Sequence, residues 1–121
     1  RIQVIKGWRN TKGKLQEKVY NVALSDDRKT DATGEAEAVG NTVDLDDATF
    51  TNRIGDPELT TVWIDPDFNA KEHSFYYIRV LEIPTPRWTD FDVARKDTKL
   101  GPHIPVMTQE RLYTSPIWYT P

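Results

Sequence analysis

Metal chemistry needs donors at a set spacing, and this chain offers few. His73 and His103 sit in separate polar stretches, with no His-x-His or His-x-x-x-His pair and no cysteine anywhere. Asp65-Pro66-Asp67-Phe68-Asn69 and Asp44-Leu45-Asp46-Asp47 supply the oxygen donors that a hard cation requires. Neither has the central glycine and terminal glutamate of a calcium loop, so both read as turns in which Asp caps its own backbone. Nucleophilic chemistry fares no better. There is no Gly-x-Ser-x-Gly elbow, and Ser25, Ser74 and Ser115 have no histidine or other base beside them in sequence. The six glycines, at 7, 13, 34, 40, 55 and 101, are isolated, so no glycine-rich loop can cradle a phosphate. The absence of cysteine excludes disulfides, thiolate zinc sites and a cysteine nucleophile within the chain.

Binding by aromatic and charged residues is the remaining chemistry. Trp63 and Trp118 fall inside strand patterns and read as core. Trp8 and Trp88 fall at strand ends beside Arg9 and Arg87, where exposure is expected and a sugar ring could stack. Arg79 and Glu82 interrupt an otherwise apolar strand and, three residues apart, point to opposite faces of it. Burying an unpaired charge is costly, so each is expected to reach its own partner or a functional boundary.

The element that must position these residues is the stretch 74–88. Residues 75–83 are almost all aromatic, β-branched or aliphatic, and both faces of the strand are mainly apolar. This predicts a central strand covered on both sides, ended by Pro84 and Pro86, which cannot donate to a ladder. Residues 2–8 and 14–24 predict a hairpin about the turn Asn10-Thr11-Lys12-Gly13. Gly7 inside the first strand implies a bulge or the close approach of another backbone. Residues 25–41 are a polar surface loop, and 42–51 hold short strand fragments with Asp46-Asp47 turning between them. Residues 59–64 and 117–119 predict further strands, and 89–97 the one helix, capped by Thr89 or Asp90. About six short strands joined by long polar loops imply a mainly β, antiparallel sandwich of the immunoglobulin-like kind, with a partly open barrel second.

Composition agrees with one domain at residues 1–121. Hydrophobic residues make up 37% and charged residues 29%, which is globular and not disordered. A net charge of −3 argues against a general nucleic-acid surface. No apolar run approaches the roughly 18 residues of a membrane span. The chain opens directly in a strand pattern, so it reads as part of a longer polypeptide. A missing N-terminal edge strand would then leave an exposed edge able to pair with another copy.

Four separated blocks, Arg1-Ile-Gln-Val-Ile-Lys-Gly-Trp8, Glu17-Lys-Val-Tyr-Asn-Val-Ala23, Tyr76-Tyr-Ile-Arg-Val-Leu-Glu-Ile-Pro-Thr-Pro-Arg-Trp88 and Tyr113-Thr-Ser-Pro-Ile-Trp-Tyr119, occur in this order. Together they closely resemble the C-terminal end of a large bacterial family of unknown function. Its full-length members are similar to metal-dependent hydrolases related to the polymerase-and-histidinol-phosphatase superfamily. The resemblance implies that the metal-binding His and Asp motifs lie upstream, since none matches a position here. It also implies that this chain is a non-catalytic accessory β domain without a cofactor of its own. Its partner is then the catalytic part of the same polypeptide, with the divalent metal held there. Arg79, Glu82, Arg87, Trp88 and Trp8 are the expected contact residues, and an exported or periplasmic location is implied. The alternative from the residues alone is a carbohydrate-binding module using Trp8 or Trp88.

Overall fold

The computed structural model describes all of residues 1–121. Alternating strand formers on either side of Asn10-Thr-Lys-Gly13 make the expected hairpin of β1 (Ile2–Arg9) and β2 (Leu15–Ala23). Gly13 takes the left-handed conformation (φ +76°) that closes the turn, and the Asn10 side chain accepts the N–H groups of Lys12 and Lys14. The apolar run at 74–86 forms β3 (Ser74–Pro86), the longest strand. It pairs antiparallel with β1, with β4 (Met107–Tyr113) and, at its start, with β5 (Ile117–Tyr119). All five strands therefore lie in one antiparallel sheet, ordered β2-β1-β3-β4 with β5 beside β3. The mainly β, antiparallel class holds. The layer that a sandwich places opposite the sheet is occupied here by residues 63–68.

Several local expectations are corrected. Pro84 and Pro86 do not end the ladder; they pair with Gln109 and Met107 after a register shift. They are tolerated because β1 reaches no further along β3 than Val80, so the missing donors face an open side. β1 has neighbours on both sides, so the free edges are those of β2 and of β4 and β5. β3 is central by pairing but not covered on both faces, since only Ser74 and Leu81 in it are buried. The fragments in 42–51 reduce to a single bridge, Asp44 to Thr49, around the Asp46-Asp47 turn. The helix α1 (Trp88–Lys96) is capped by neither Thr89 nor Asp90 but begins after Arg87, whose side chain makes no cap bond. The Thr89 hydroxyl is instead drawn to the carbonyl of Pro105, 2.7 Å away, in the next connection.

The sheet faces differ. One carries Val4, Lys6, Tyr20, Tyr76 and Ile78, as the register of β1, β2 and β3 requires. The other carries Ile5, Gly7, Val19, Phe75 and Tyr77. Gly7 is explained on that second face: a Cβ there would stand 2.4 Å from the Phe75 ring, so a side chain and not a backbone makes the close approach. The apolar core is small, with only Val4, Ile5, Ala48 and Leu81 buried among the hydrophobic residues.

Candidate functional site

The densest group of chemistry-bearing side chains lies on the first face. Lys6 interrupts the apolar strand Ile2–Arg9 at an interior position, so its ammonium cannot reach bulk water. The connection following Ile64 supplies the partner. Asp65 Oδ2 lies 2.6 Å from Lys6 Nζ, and both side chains are nearly dry, at 3% exposure for Lys6 and 7% for Asp65. Lys6 also donates to the carbonyl of Asp67 at 2.7 Å. The same carboxylate accepts the Tyr76 hydroxyl at 2.8 Å, the Tyr20 hydroxyl at 3.3 Å and the N–H of Asp67 at 2.9 Å. Asp67 completes the node by accepting from Tyr20 at 2.7 Å and pairing with Lys18. Trp63 packs between Tyr20 and Tyr76, with ring centroids 4.9 and 6.4 Å away. Trp63 thus has the packing role its strand pattern implies.

The electrostatics follow from this arrangement. Burial disfavours the charged form of Asp65, but the hydrogen bonds from Lys6 and Tyr76 outweigh it, and its carboxyl lies below the usual carboxylate range. Lys18 and then Tyr20 lower Asp67 likewise. Burial, followed by the neighbouring carboxylates, pushes the Tyr20 hydroxyl far above its ordinary value, and burial also raises Tyr76. At neutral pH the node therefore holds two ionised carboxylates and two neutral phenols. Its carboxylates already accept from Lys6, Lys18, Tyr20 and Tyr76. The arrangement fastens residues 65–67 onto the sheet, which agrees with the turn reading of Asp65-Pro-Asp67. Sequence reasoning missed the node as a unit. The available signal was Lys6 itself, a charge inside an interior strand that demanded a carboxylate.

The five residues expected at a contact surface do not converge. Arg79 is half-buried on the second face. Its Nε donates to Gln3 Oε1 at 2.8 Å, and the relay continues through Asn21 to the carbonyl of Gly34. Its partner is thus a carboxamide. Glu82 is exposed and makes no ion pair, although its carbonyl accepts from Gln109 Nε2 at 2.8 Å. Arg87 and Trp88 share a cleft with Thr85, Thr108 and Glu110 at the far end of β3, where Trp88 is 67% exposed. Trp8 stands opposite Ser74 at the other end, half-buried, with Lys6 Nζ 5.2 Å from its ring. Some fourteen residues of mostly extended chain separate the two ends, on the order of 40 Å at strand spacing.

The second face presents a different feature. Trp118, Phe75, Tyr77 and Tyr113 form a row across β5, β3 and β4, with successive ring centroids 5.2, 6.5 and 6.3 Å apart. Trp118, expected in the core, is 72% exposed. Pairing with β3 places its ring next to Phe75, but nothing lies over it.

Fold and surface together define a small antiparallel β domain whose polar residues fasten its own connections and whose aromatic row ends in exposed Tyr113 and Trp118. Its family can be stated. A family profile described as "Protein of unknown function (DUF3604)" matches residues 1–121, the whole chain, and the chain belongs to that family. No curated protein and no solved structure matches it. No helix is long and apolar enough to cross a membrane.

Proposed function

We propose that this chain is a non-catalytic accessory β domain of a larger metal-dependent hydrolase, seated against the catalytic part of the same polypeptide. The hydrolase half of the reading rests on the resemblance of the four blocks described above. The docking half rests on one observation, the surface this chain leaves bare. It exposes 8949 Å². A compact monomer of its 14.0 kDa mass exposes about 6,700 Å², so the excess is about a third. A standard interface removes about 800 Å² from each partner, well within that excess. On this reading the exposed ends of the aromatic row, Tyr113 and Trp118, belong to that contact. The divalent metal belongs, on this reading, to the upstream part.

Hydroxyl-radical footprinting of the chain and of its full-length parent tests the docking. Tyr113 and Trp118, the exposed members of the row, should be labelled in the chain and protected in the parent. Equal labelling in both would overturn it. A parallel assay on phosphate and sulfate esters, with and without Mn²⁺ or Zn²⁺, should find activity only in the parent. A second reading, sugar stacking, is favoured by the exposure of Trp88 and Trp118. It requires their fluorescence to respond to glycans in the parent as well as in the chain.

A further inference from the structure

Residues 56–64, Asp-Pro-Glu-Leu-Thr-Thr-Val-Trp-Ile, lie outside every strand and helix and make no backbone–backbone hydrogen bond. Among them only Leu59 and Trp63 are half-buried. Leu59, Trp63 and Ile64 line an apolar cleft of about 780 Å³ together with Val4, Tyr76 and Ile78 of the first face. A segment with so few buried contacts and no ladder belongs to the least stable part of a fold.

Carboxylates fasten the segment at its two ends. On one side both oxygens of Asp26 accept the Gly55 N–H, at 3.1 and 2.9 Å, and Oδ2 also accepts the Ser25 hydroxyl at 2.7 Å. Arg28 and the N-terminal ammonium are the charges that act on Asp26. On the other side Asp65 and Asp67 accept from Lys6 of β1, Lys18 and Tyr20 of β2 and Tyr76 of β3. Within the segment Asp56 and Glu58 are exposed, and Asp56 shares a cleft with Arg1, Arg28 and Glu82.

We propose that residues 56–64 are an acid-released strap: in acid both fastenings let go, the strap leaves the first face and the apolar floor of the cleft is uncovered, while the ladders of β1, β2 and β3 stay formed. The fastenings and the sheet differ in what acid does to them. The Ser25 hydroxyl and the Gly55 N–H hold Asp26 below the usual carboxylate range. Burial opposes the same effect at Asp65, but Lys6 and Tyr76 outweigh it, and Lys18 and Tyr20 lower Asp67. Carboxylates lowered in this way stabilise above their ordinary range near pH 4, and that stabilisation is lost as pH falls through their folded values. The ladders are made of backbone groups, which do not titrate. Lys6 does not oppose release, since departure of the connection that covers it returns its ammonium to water. The packing of Trp63 between Tyr20 and Tyr76 survives protonation, but it stands with Leu59 against the conformational entropy of the whole segment.

A chain with Trp8, Trp88 and Trp118 replaced by phenylalanine keeps Trp63 as its one reporter. Acrylamide quenching of Trp63 should rise towards that of a free indole below about pH 4, at a pH where far-UV circular dichroism still shows the native sheet. In the native chain, fluorescence of the dye anilinonaphthalene sulfonate should rise over the same interval as the apolar floor opens. Asp65→Asn combined with Asp67→Asn should give the acid level of quenching at neutral pH, again with the sheet signal intact. Quenching, dye binding and dichroism that change together in one transition would overturn the proposal. So would a doubly substituted chain whose Trp63 is as shielded at neutral pH as before.

Discussion

Replacing Asp65 by alanine removes the carboxylate directly paired with Lys6. The ammonium would be left at 3% exposure with the Asp67 carbonyl, 2.7 Å away, as its remaining hydrogen-bond partner. Tyr76 would lose its carboxylate acceptor as well. Breaking a buried pair from one side costs about 3–5 kcal/mol, since the charge left behind is uncompensated. At about 3–5 °C per kcal/mol for a chain of this length, the melting point should fall by roughly 10–20 °C. Urea unfolding followed by tryptophan fluorescence is a suitable assay, because Trp63 packs on both tyrosines of the node. The control is the fully apolar node, Lys6→Met with Asp65→Leu and Tyr76→Phe. It leaves no buried charge of this node uncompensated and should recover much of the loss, short of what the Asp67 carbonyl forfeits with Lys6. Acid titration adds a check of sign. The Asp65 carboxyl is lowered in the folded state, so the stability it contributes is fully present above its ordinary range near pH 4. That stability is lost as pH falls through the folded value. The gap between the native chain and Asp65→Ala should therefore narrow below about pH 4. A loss under about 1 kcal/mol, or an apolar node as unstable as the single variant, would refute the assignment of this pair as a buried anchor.

Gly7→Ala should destabilise by about 1–3 kcal/mol, because the new methyl must displace the Phe75 ring from 2.4 Å, and denaturant midpoints will show it. Asp90 is 1% exposed, and its Oδ2 has no hydrogen-bond partner. Burial, and then the charge of Asp44, raises its carboxyl. A raised carboxyl favours the folded state below its unfolded pKa and loses that advantage as pH rises through the folded value. Asp90→Asn should accordingly gain stability relative to the native chain between pH 4 and pH 7, read from paired melting curves, and a gap that does not change with pH would count against this.

The hairpin, the long strand at 74–86 and the mainly β class were legible in the sequence because their causes are local. Alternation, β-branched and aromatic content, and Asn10 and Gly13 at a turn act within a few residues of themselves. The polar loop at 25–41 was legible for the same reason, as was the turn at Asp65-Pro-Asp67. Tertiary structure alone decided what each strand-like segment would pair with. Residues 59–64 and 117–119 look alike in sequence, yet one lies unpaired over the sheet and the other joins β3. It also decided which tryptophan is covered. Trp63 is held by Tyr20 and Tyr76, while Trp118 has a neighbour beside it and none above. The Lys6–Asp65 pair spans 59 residues, a separation at which no local pattern carries information. The sequence could say that Lys6 needed a carboxylate, since a charge inside an interior strand must be compensated. The choice of Asp65 followed only once the chain after Ile64 had turned back across the sheet.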